Sequence, residues 1–420
     1  MRLLMGIFIF THLNKKNMNI ERRKRIAIIT PYGGESRLDN YAEFNLAQGL
    51  IAKGWEVRMY TYAARGIPGY VNDLNYKGIP VYRTRYRLGV SPRLLLLLLG
   101  FKPGTIIGFH PKNFLNFTAY HAAKLLGARF IIQIVGLLHD PYFVEDTDDP
   151  IGKLRPIGTI ITNTQELFKR IFSLNGNPVE HWKNYVLHIG TKNADKILAM
   201  NKNEMIHIES VYGKTSELVY WCAPRERGTE HEKKPNVELP ERYLYFIGQI
   251  KKRKGWDTAI DTISELKKRG IIKYLVFQSP FSDVRIPATY AEEKGVREQI
   301  IFLTVTTDER DWLYRHSDYV LIPSRYEGFG IPVFEAFLAG RPICVTDINT
   351  FQEFLINKEN AMMTKMEDGK AMAESVMALD SDPELREKLI LGGKNSLDVF
   401  SVDHMVLNFL KAIESTQTKN

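Results

Sequence analysis

Cysteine is nearly absent from this chain of 420 residues, which contains only two. Cys222 and Cys344 are too few for a disulfide framework, and each lies in or beside an apolar run. A disulfide-stabilised scaffold is therefore excluded, and the composition suits a reducing cytoplasm. We expect both cysteines to be packing residues.

Long apolar runs are absent as well. No stretch has the roughly 20 apolar residues that a membrane-spanning helix needs, which excludes a transmembrane protein. MRLLMGIFIF at residues 1–10 is too short, and it lacks the small-residue cleavage site of a signal peptide. We interpret residues 1–24 as a basic and apolar N-terminal extension, with Met18 as an alternative start. The predicted location is the cytoplasm.

Positive charges exceed negative charges by nine, and much of the excess lies at residues 1–25 and 83–102. The sequence has no recognition module with the aromatic signature of nucleic-acid binding, so RNA and DNA are not expected as partners. Within 83–102, arginines border six consecutive leucines, residues 94–99. This pattern favours either a buried helix with solvated flanks or a face that binds an anionic membrane surface. In the second case the protein would be peripheral at the cytoplasmic face.

Short β-branched runs alternate with amphipathic stretches from Arg25 onward, which predicts parallel sheets covered by helices and an α/β fold class. The predicted strands of the first half are RIAIIT, EVRMYTY, TIIGF, RFIIQIV, GTIITN, KILAM and LVYWCA. Those of the second half are YLYFIG, YLVFQ, IIFLTV, YVLIP and RPICVT, and helical segments follow from about residue 370 to 413.

A charged stretch with two prolines, residues 225–242, separates the two halves and has the composition of a linker. We predict Rossmann-like domains at 25–224 and 243–400. Residues 401–420 are expected to form a helix that could return to the N-terminal domain. Because ligands of open parallel sheets bind beyond the carboxyl ends of the strands, two such domains facing each other would form a cleft.

The segment SRYEGFGIPVFEAFLAG, residues 324–340, combines two carboxylates with a glycine-rich turn. Gly328 and Gly330 let the backbone approach a ligand and leave amide N–H groups unpaired at the start of a helix. Glu327 precedes the turn, and Glu335 is expected in the first helical turn. Carboxylates accept paired hydrogen bonds from the neighbouring hydroxyls of a sugar or a ribose. A helix-capping role would explain Glu335 alone, and not the other acid and both glycines.

Three parts of the sequence resemble the family 4 retaining glycosyltransferases, also called glycosyl transferases group 1, which have the GT-B fold. The E-G-F-G-I-P run at 327–332 together with Glu335 resembles the E-x7-E region of that family. Residues 243–270 resemble the strand, loop and helix that open its donor domain, and TPYGGESR at 30–37 resembles its glycine-rich loop. The resemblance implies a GT-B architecture with an N-terminal acceptor domain and a C-terminal nucleotide-sugar domain.

The resemblance also implies roles for individual residues. Glu327 would contact hydroxyls of the donor sugar, Lys254 would neutralise the leaving diphosphate, and Glu335 would hold the ribose diol. The other implied donor contacts are Gly33, Gly34, Gln249 and the backbone N–H groups of Phe329, Gly330 and Ile331. The chemistry asks for such groups, because a departing nucleoside diphosphate develops negative charge that fixed cations and helix-start amides stabilise.

Two positions depart from the family pattern. The family commonly has arginine where Gln249 stands, so one phosphate contact is weaker here or comes from the basic residues 251–253. The family histidine near the reacting carbon corresponds to His139 if the preceding loop is longer. The alternative is His110, which ends the predicted strand TIIGF. We predict His139 as the catalytic histidine.

A metal site is an alternative source of positive charge. EDTDD at 145–149 contains a D-x-D pattern, which holds a divalent metal in glycosyltransferases of the other architecture. Such short acidic patterns are frequent by chance in polar loops, and no apolar strand flanks this one. We predict that neither a metal nor another cofactor is needed.

The resulting expectation is a metal-independent, retaining hexosyltransferase that moves a sugar from a nucleotide sugar to a glycan or a lipid-linked acceptor. A nucleotide-sugar isomerase or epimerase of the same fold stays open, and product analysis would separate the two. A non-catalytic glycosyltransferase-like subunit stays open as well. A dinucleotide oxidoreductase is disfavoured because the turn after RIAIIT lacks a G-x-G-x-x-G pattern.

Overall fold

The computed structural model describes residues 22, 24–31, 41–63, 72–111, 113–135, 160–173, 177–224, 228–280 and 283–415. These residues form two compact units, each of which is an α/β unit. The first unit holds the described residues up to 135, residues 160–222 and the helix that begins at Val402. The second unit holds residues 223–401 where they are described.

The first unit contains eight strands among its described residues. They are β1 (Arg25–Ile29), β2 (Glu56–Tyr62), β3 (Leu74–Tyr76), β4 (Ile79–Thr84), β5 (Thr105–Phe109), β6 (Arg129–Gln133), β7 (Lys196–Ala199) and β8 (Glu217–Leu218). Its helices are α1 (Ala42–Ala52), α2 (Pro92–Phe101), α3 (Leu115–Leu126), α4 (Thr164–Phe172), α5 (Pro178–Lys192) and α6 (Lys202–Tyr212). The last helix of the chain, Val402–Ser415, packs against α1 in this unit.

The second unit contains six strands in the part of the chain that is described. They are β9 (Leu244–Ile247), β10 (Leu275–Gln278), β11 (Ile300–Leu303), β12 (Tyr319–Ile322), β13 (Ile343–Thr346) and β14 (Met362–Thr364). Its helices are α7 (Trp256–Lys268), α8 (Arg285–Glu293), α9 (Thr307–His316), α10 (Ile331–Leu338), α11 (Asn349–Gln352), α12 (Gly369–Ser381) and α13 (Pro383–Ser396). The helix Val402–Ser415, which belongs to the first unit, is called α14. Short 3-10 helices lie at Thr229–His231, Lys252–Lys254 and Arg297–Gln299.

Both sheets are built from parallel strands. The order in the first unit is β3-β4-β2-β1-β5-β6-β7-β8, and only the β3–β4 hairpin is antiparallel. The order in the second unit is β11-β10-β9-β12-β13-β14, which is the dinucleotide-fold order in which the first and fourth strands are neighbours. All residues of β5 and of β12 are buried, as expected for strands covered by helices on both faces. The predicted α/β class is confirmed.

One predicted strand is wrong, and another is much shorter than predicted. In GTIITN the described residues from Ile160 onward form no strand, and the Ile161 N–H donates to the Asn184 side chain at 2.7 Å. In LVYWCA only Leu218 belongs to a strand, although Trp221 and Cys222 are buried. In both cases the apolar pattern marks burial, and it does not distinguish a strand from a buried irregular segment.

Both cysteines are buried, as expected for packing residues. Cys344 lies in strand β13, and Cys222 lies in the buried irregular segment after β8. Burial raises the pKa of the Cys344 thiol to about 12. The thiol is therefore an inert packing group at neutral pH.

The leucine-rich stretch at 83–102 forms β4 and α2. Leu94 and Leu98 are fully buried in the core of the first unit, whereas Leu96 is 69% exposed. Arg83, the first of the arginines in this stretch, is buried and donates to the Asn72 carbonyl at 3.0 Å, so its charge is not part of an exposed basic face. No helix in the described ranges is long and apolar enough to cross a membrane.

Candidate active site

Two loops of the second unit meet at the centre of its sheet. The first follows β9 and runs from Gly248 to Gly255, and the second follows β12 and runs from Pro323 to Gly330. Because β9 and β12 are neighbours at the point where the strand order reverses, their carboxyl ends form the crevice where such sheets bind ligands. The loop that contains Lys254 and the loop that begins the E-x7-E motif therefore lie side by side.

Glycine is required at one position in each loop. Gly255 has φ +65°, and a Cβ there would lie 1.8 Å from the Pro323 carbonyl oxygen. Gly330 has φ +88°, and its Cβ would lie 2.6 Å from a ring carbon of Phe351. Both positions combine left-handed backbone with a close approach, so a larger residue at Gly255 would push the two loops apart, and one at Gly330 would displace the Phe351 ring.

Glu327 is the central anion of the site and is 5% exposed. Its Oε1 accepts hydrogen bonds from Lys254 Nζ at 2.6 Å and from Ser324 Oγ at 2.7 Å. Arg253 Nη1 lies 3.7 Å from the other oxygen, Oε2. Burial alone would raise the pKa of Glu327, but the charges of Lys254 and Arg253 and these hydrogen bonds hold the pKa below its usual value. The carboxylate is therefore ionised at neutral pH.

Arg325 joins the two loops through hydrogen bonds. Its role was not predicted from the sequence. Its guanidinium donates to both carboxylate oxygens of Asp257 at 2.7 Å, and it also contacts the Lys252 carbonyl at 2.6 Å. Its Nε donates to Glu367 Oε1 at 2.5 Å. The backbone N–H of Arg325 donates to the Arg253 carbonyl at 2.7 Å. The side chain is 4% exposed, so this clamp is almost entirely internal.

Glu335 lies one residue beyond the first turn of α10, and the expectation that it belongs to that turn is wrong. Its Oε1 is 3.1 Å from Arg310 Nη1, and its Oε2 accepts from the Tyr314 hydroxyl at 2.8 Å. The carboxylate is therefore held by α9 more than by the dipole of its own helix. Each oxygen keeps a second lone pair that a ligand hydroxyl can use.

Arg310 and Tyr314 are the two further residues that sequence reasoning missed. Burial and the neighbouring charge of Glu335 raise the pKa of Tyr314 well above its usual value, so its hydroxyl stays protonated and donates. Burial acts to lower the pKa of Arg310, but the carboxylate of Glu335 raises it above its usual value. A capping box between Thr306 and Glu309 fixes the start of α9 and with it both side chains.

The glycine-rich turn can contact a ligand through backbone N–H groups, whereas its aromatic side chain packs internally. Phe329 is 4% exposed, and its ring packs against Phe334 at 4.6 Å and Phe400 at 5.7 Å between centroids. Gly330 caps α10 and Ile331 is its first residue, so the N–H groups here belong to a helix start. Gln249 lies two residues beyond the end of β9 and is half-buried at the same end of the sheet.

Gly33, Gly34, His139 and the D-x-D run at 145–149 lie outside the described residues. Their assigned roles stay predictions.

His110, the alternative histidine, follows β5 at the strand-order reversal of the first sheet and has φ +62°. Its Nδ1 lies 3.2 Å from the Val135 carbonyl oxygen, and its Nε2 lies 3.4 Å from Glu43 Oε1. Thr30, which follows β1, donates to the same Glu43 oxygen at 3.3 Å. The carboxyl ends of β1 and β5 thus bring together a histidine, a buried carboxylate and a hydroxyl.

The chain is similar to known glycosyltransferases. Residues 228–396 match the family model described as "Glycosyl transferases group 1". The chain is 26% identical over 182 residues to the lipopolysaccharide core biosynthesis mannosyltransferase LpsB of Rhizobium meliloti, covering 40% of this chain and 49% of that protein. It is also 26% identical over 382 residues to the D-inositol 3-phosphate glycosyltransferase of Corynebacterium efficiens, covering 86% of each. The chain spans about half the length of the first of these relatives.

A solved structure shows the same fold. The structure of Anabaena HepE in complex with UDP and glucose has a TM-score of 0.65 to this chain at 13% identity, covering 93% of this chain and 99% of that one. The predicted GT-B fold with two Rossmann-like domains is confirmed. The match to the family model covers residues 228–396 alone, which lie in the second unit.

Proposed function

We propose that the chain is a retaining glycosyltransferase that moves a hexosyl group from a nucleotide sugar to an acceptor. The observation that supports this best is the Lys254–Glu327 pair at the strand-order reversal of the second sheet. A half-buried cation and a buried carboxylate at 2.6 Å provide, at one place, a partner for a diphosphate and a partner for sugar hydroxyls.

The leaving group sets the main chemical demand. A nucleoside diphosphate gains negative charge as the glycosidic bond breaks, and Lys254 with Arg253 supplies positive charge beside Glu327. The lysine ammonium has three N–H donors, and Glu327 takes one of them. The N–H groups at the start of α10 add a fixed positive partial charge. Gln249 contributes a neutral hydrogen bond where the family commonly has an arginine.

The two glutamates bind different parts of the donor, Glu327 the sugar and Glu335 the ribose. Glu327 accepts hydrogen bonds from the donor-sugar hydroxyls, chiefly through Oε2, which lies 3.7 Å from Arg253 Nη1. Glu335 accepts the two ribose hydroxyls through the lone pairs that Arg310 and Tyr314 leave open. The HepE structure in complex with UDP and glucose supports a nucleotide-sugar donor for this fold. We place the reaction in the cytoplasm because a chain with two cysteines suits a reducing compartment.

A donor screen tests the proposal. The purified chain is incubated with UDP-, GDP- and ADP-sugars, and binding and slow donor hydrolysis are measured. The anomeric configuration of the released sugar, followed by NMR, must match that of the donor if the mechanism is retaining. A rearranged nucleotide sugar without sugar release would indicate an isomerase, and binding without turnover would indicate a non-catalytic subunit. Either result contradicts the proposed transfer.

Replacing Glu335 should weaken nucleotide binding. In Glu335→Gln the charge-assisted bonds to the ribose diol are lost, which corresponds to about 1.5–3 kcal/mol, or roughly 10- to 100-fold in Kd. Calorimetric titration with the best-binding nucleoside diphosphate measures this. The matched variant Tyr314→Phe removes one hydrogen bond to Glu335 and keeps the carboxylate, so its effect should be smaller. Equal Kd values for the Gln variant and the unmodified chain would rule out the ribose contact.

Transfer should proceed without a divalent metal. Lys254, Arg253 and the start of α10 provide the charge stabilisation that a metal provides in other enzymes. Turnover measured with and without EDTA should therefore be the same. If EDTA abolished turnover, Mn²⁺ restored it, and Asp146→Ala and Asp148→Ala each lost it, the D-x-D run would be a metal site.

A further inference from the structure

A cavity of about 490 Å³ lies in the first unit, at the carboxyl ends of two parallel strands. Tyr62 and Thr84 end β2 and β4 and are paired in register, and both line the cavity. The next residues of the chain, Arg85, Tyr86 and Arg87, continue the lining. Open parallel sheets bind ligands beyond the carboxyl ends of their strands, and the cavity lies at such a position.

Aromatic rings form one side of the cavity. The ring centroids of Tyr62 and Tyr86 are 5.1 Å apart, and Tyr86 stacks on Phe114 at 5.2 Å. The Tyr62 hydroxyl is already committed, because it donates to Asn113 at 2.5 Å and accepts from the Phe114 N–H at 2.8 Å. What Tyr62 presents to the cavity is therefore its apolar ring, against which the C–H face of a sugar ring packs well.

The other feature of the cavity is uncompensated positive charge. Arg85 and Arg87 are exposed, and no carboxylate among the residues placed in the structure lies within ion-pair distance of either. The contrast with a neighbouring arginine is clear, since Arg93 pairs with Asp73 at 2.5 Å. Two arginines beside an aromatic surface match a phosphate group, whose oxygens accept paired N–H bonds from a guanidinium.

The arginines stand on a tight, supported turn. Arg87 and Val90 exchange backbone hydrogen bonds of 2.9 and 3.0 Å, with positive φ at Leu88 and Gly89 between them. The Trp182 indole N–H donates to the Leu88 carbonyl at 2.9 Å. Such support holds Arg87 in place before a ligand arrives, which lowers the entropic cost of binding.

We propose that this cavity binds the acceptor of the transfer reaction, and that the acceptor carries a phosphate or diphosphate group. Tyr62 and Tyr86 contact its sugar ring, and Arg85 and Arg87 hold its phosphate. This inference rests on the proposed function, because only a transferase needs an acceptor. The concave shape favours a small phosphorylated group over a flat membrane surface, and the burial of Arg83 removes one charge from such a surface.

Ligand-observed NMR with matched probes tests the cavity. The probes are glucose 6-phosphate and mannose 6-phosphate, each against its unphosphorylated sugar, and a short polyprenyl monophosphate in neutral detergent. Phosphorylated probes should bind about tenfold more tightly or better, since each charge-assisted bond contributes at least that factor. The double variant Arg85→Gln/Arg87→Gln should lose this preference. Because both side chains are exposed, the variant should keep the thermal midpoint of the unmodified chain.

The control variant Lys53→Gln/Lys102→Gln removes the same charge from the amino ends of the strands, on the side of the sheet away from the cavity. Both lysines are exposed, and they precede β2 and β5. It should keep the full preference for phosphate. Binding of the polyprenyl phosphate as well as the sugar phosphates would assign a lipid-linked acceptor, and binding of the sugar phosphates alone would assign a soluble one. Either result supports the proposal.

Three results would overturn the proposal. They are no preference for phosphorylated probes, an equal loss in the lysine control, or binding only to vesicles containing phosphatidylglycerol. Donor hydrolysis, measured on the same preparation, tests the proposed glycosyltransferase function separately from the cavity assignment. Hydrolysis without a phosphate preference would defeat the cavity assignment alone, and a phosphate preference without hydrolysis of any donor would contradict the glycosyltransferase function alone.

Discussion

Turnover should fall by roughly 10²- to 10³-fold when Glu327 is replaced by glutamine, the loss typical of removing one preorganised electrostatic contact from an active site. Glutamine has nearly the same shape and can keep the bond with Ser324, but it removes the charge that pairs with Lys254. The donor sugar then loses its anionic acceptor. The measurement is kcat at saturating donor, taken with the acceptor or, without one, as donor hydrolysis.

A matched control separates this effect from a general loss of charge. Glu374 lies on α12 of the same unit, is largely exposed and pairs with Arg269 at 3.0 Å. Glu374→Gln should therefore leave kcat unchanged. If Glu327→Gln were as active as Glu374→Gln, Glu327 could not be the contact for the donor sugar.

The fold was largely predictable because parallel strands are buried on both faces and appear as short β-branched runs. β1, β5 and β12 lie where the runs RIAIIT, TIIGF and YVLIP are. The failure in GTIITN has a physical cause. Backbone polar groups of a buried segment can bond to side chains, as the Ile161 N–H does with Asn184, so burial alone does not require a strand.

The candidate site was predictable where its residues are close in sequence. Glu327, Gly330 and Glu335 share one turn and helix, and the family resemblance added Lys254. Their partners come from distant segments and were missed. Arg310 and Tyr314 are four residues apart and therefore lie on one face of α9, but nothing in the sequence says that this face meets Glu335.

Arg325 illustrates the same limit and leads to a prediction with a large effect on stability. It lies within the motif segment at 324–340, yet its importance comes from Asp257, which is 68 positions earlier. Removing one partner of a buried ion pair leaves an uncompensated charge and typically costs 3–5 kcal/mol. Because the Asp257 side chain is 22% exposed and water can reach it, we expect about 3 kcal/mol for Arg325→Ala. The midpoint of urea unfolding, followed for the second unit, measures this.

The loss in Arg325→Ala should extend to catalysis, because Arg325 joins the loop of Lys254 to the loop of Glu327 through the Lys252 carbonyl and Asp257. Arg325→Lys keeps the charge but cannot form the paired bonds, so its stability should recover more than its turnover. Arg285 provides the control, since it makes the same forked contact with Asp283 on the surface. Its replacement by alanine should change neither quantity measurably. If Arg325→Lys restored turnover fully, a single charge would suffice, and the forked geometry would not be what holds Lys254 against Glu327.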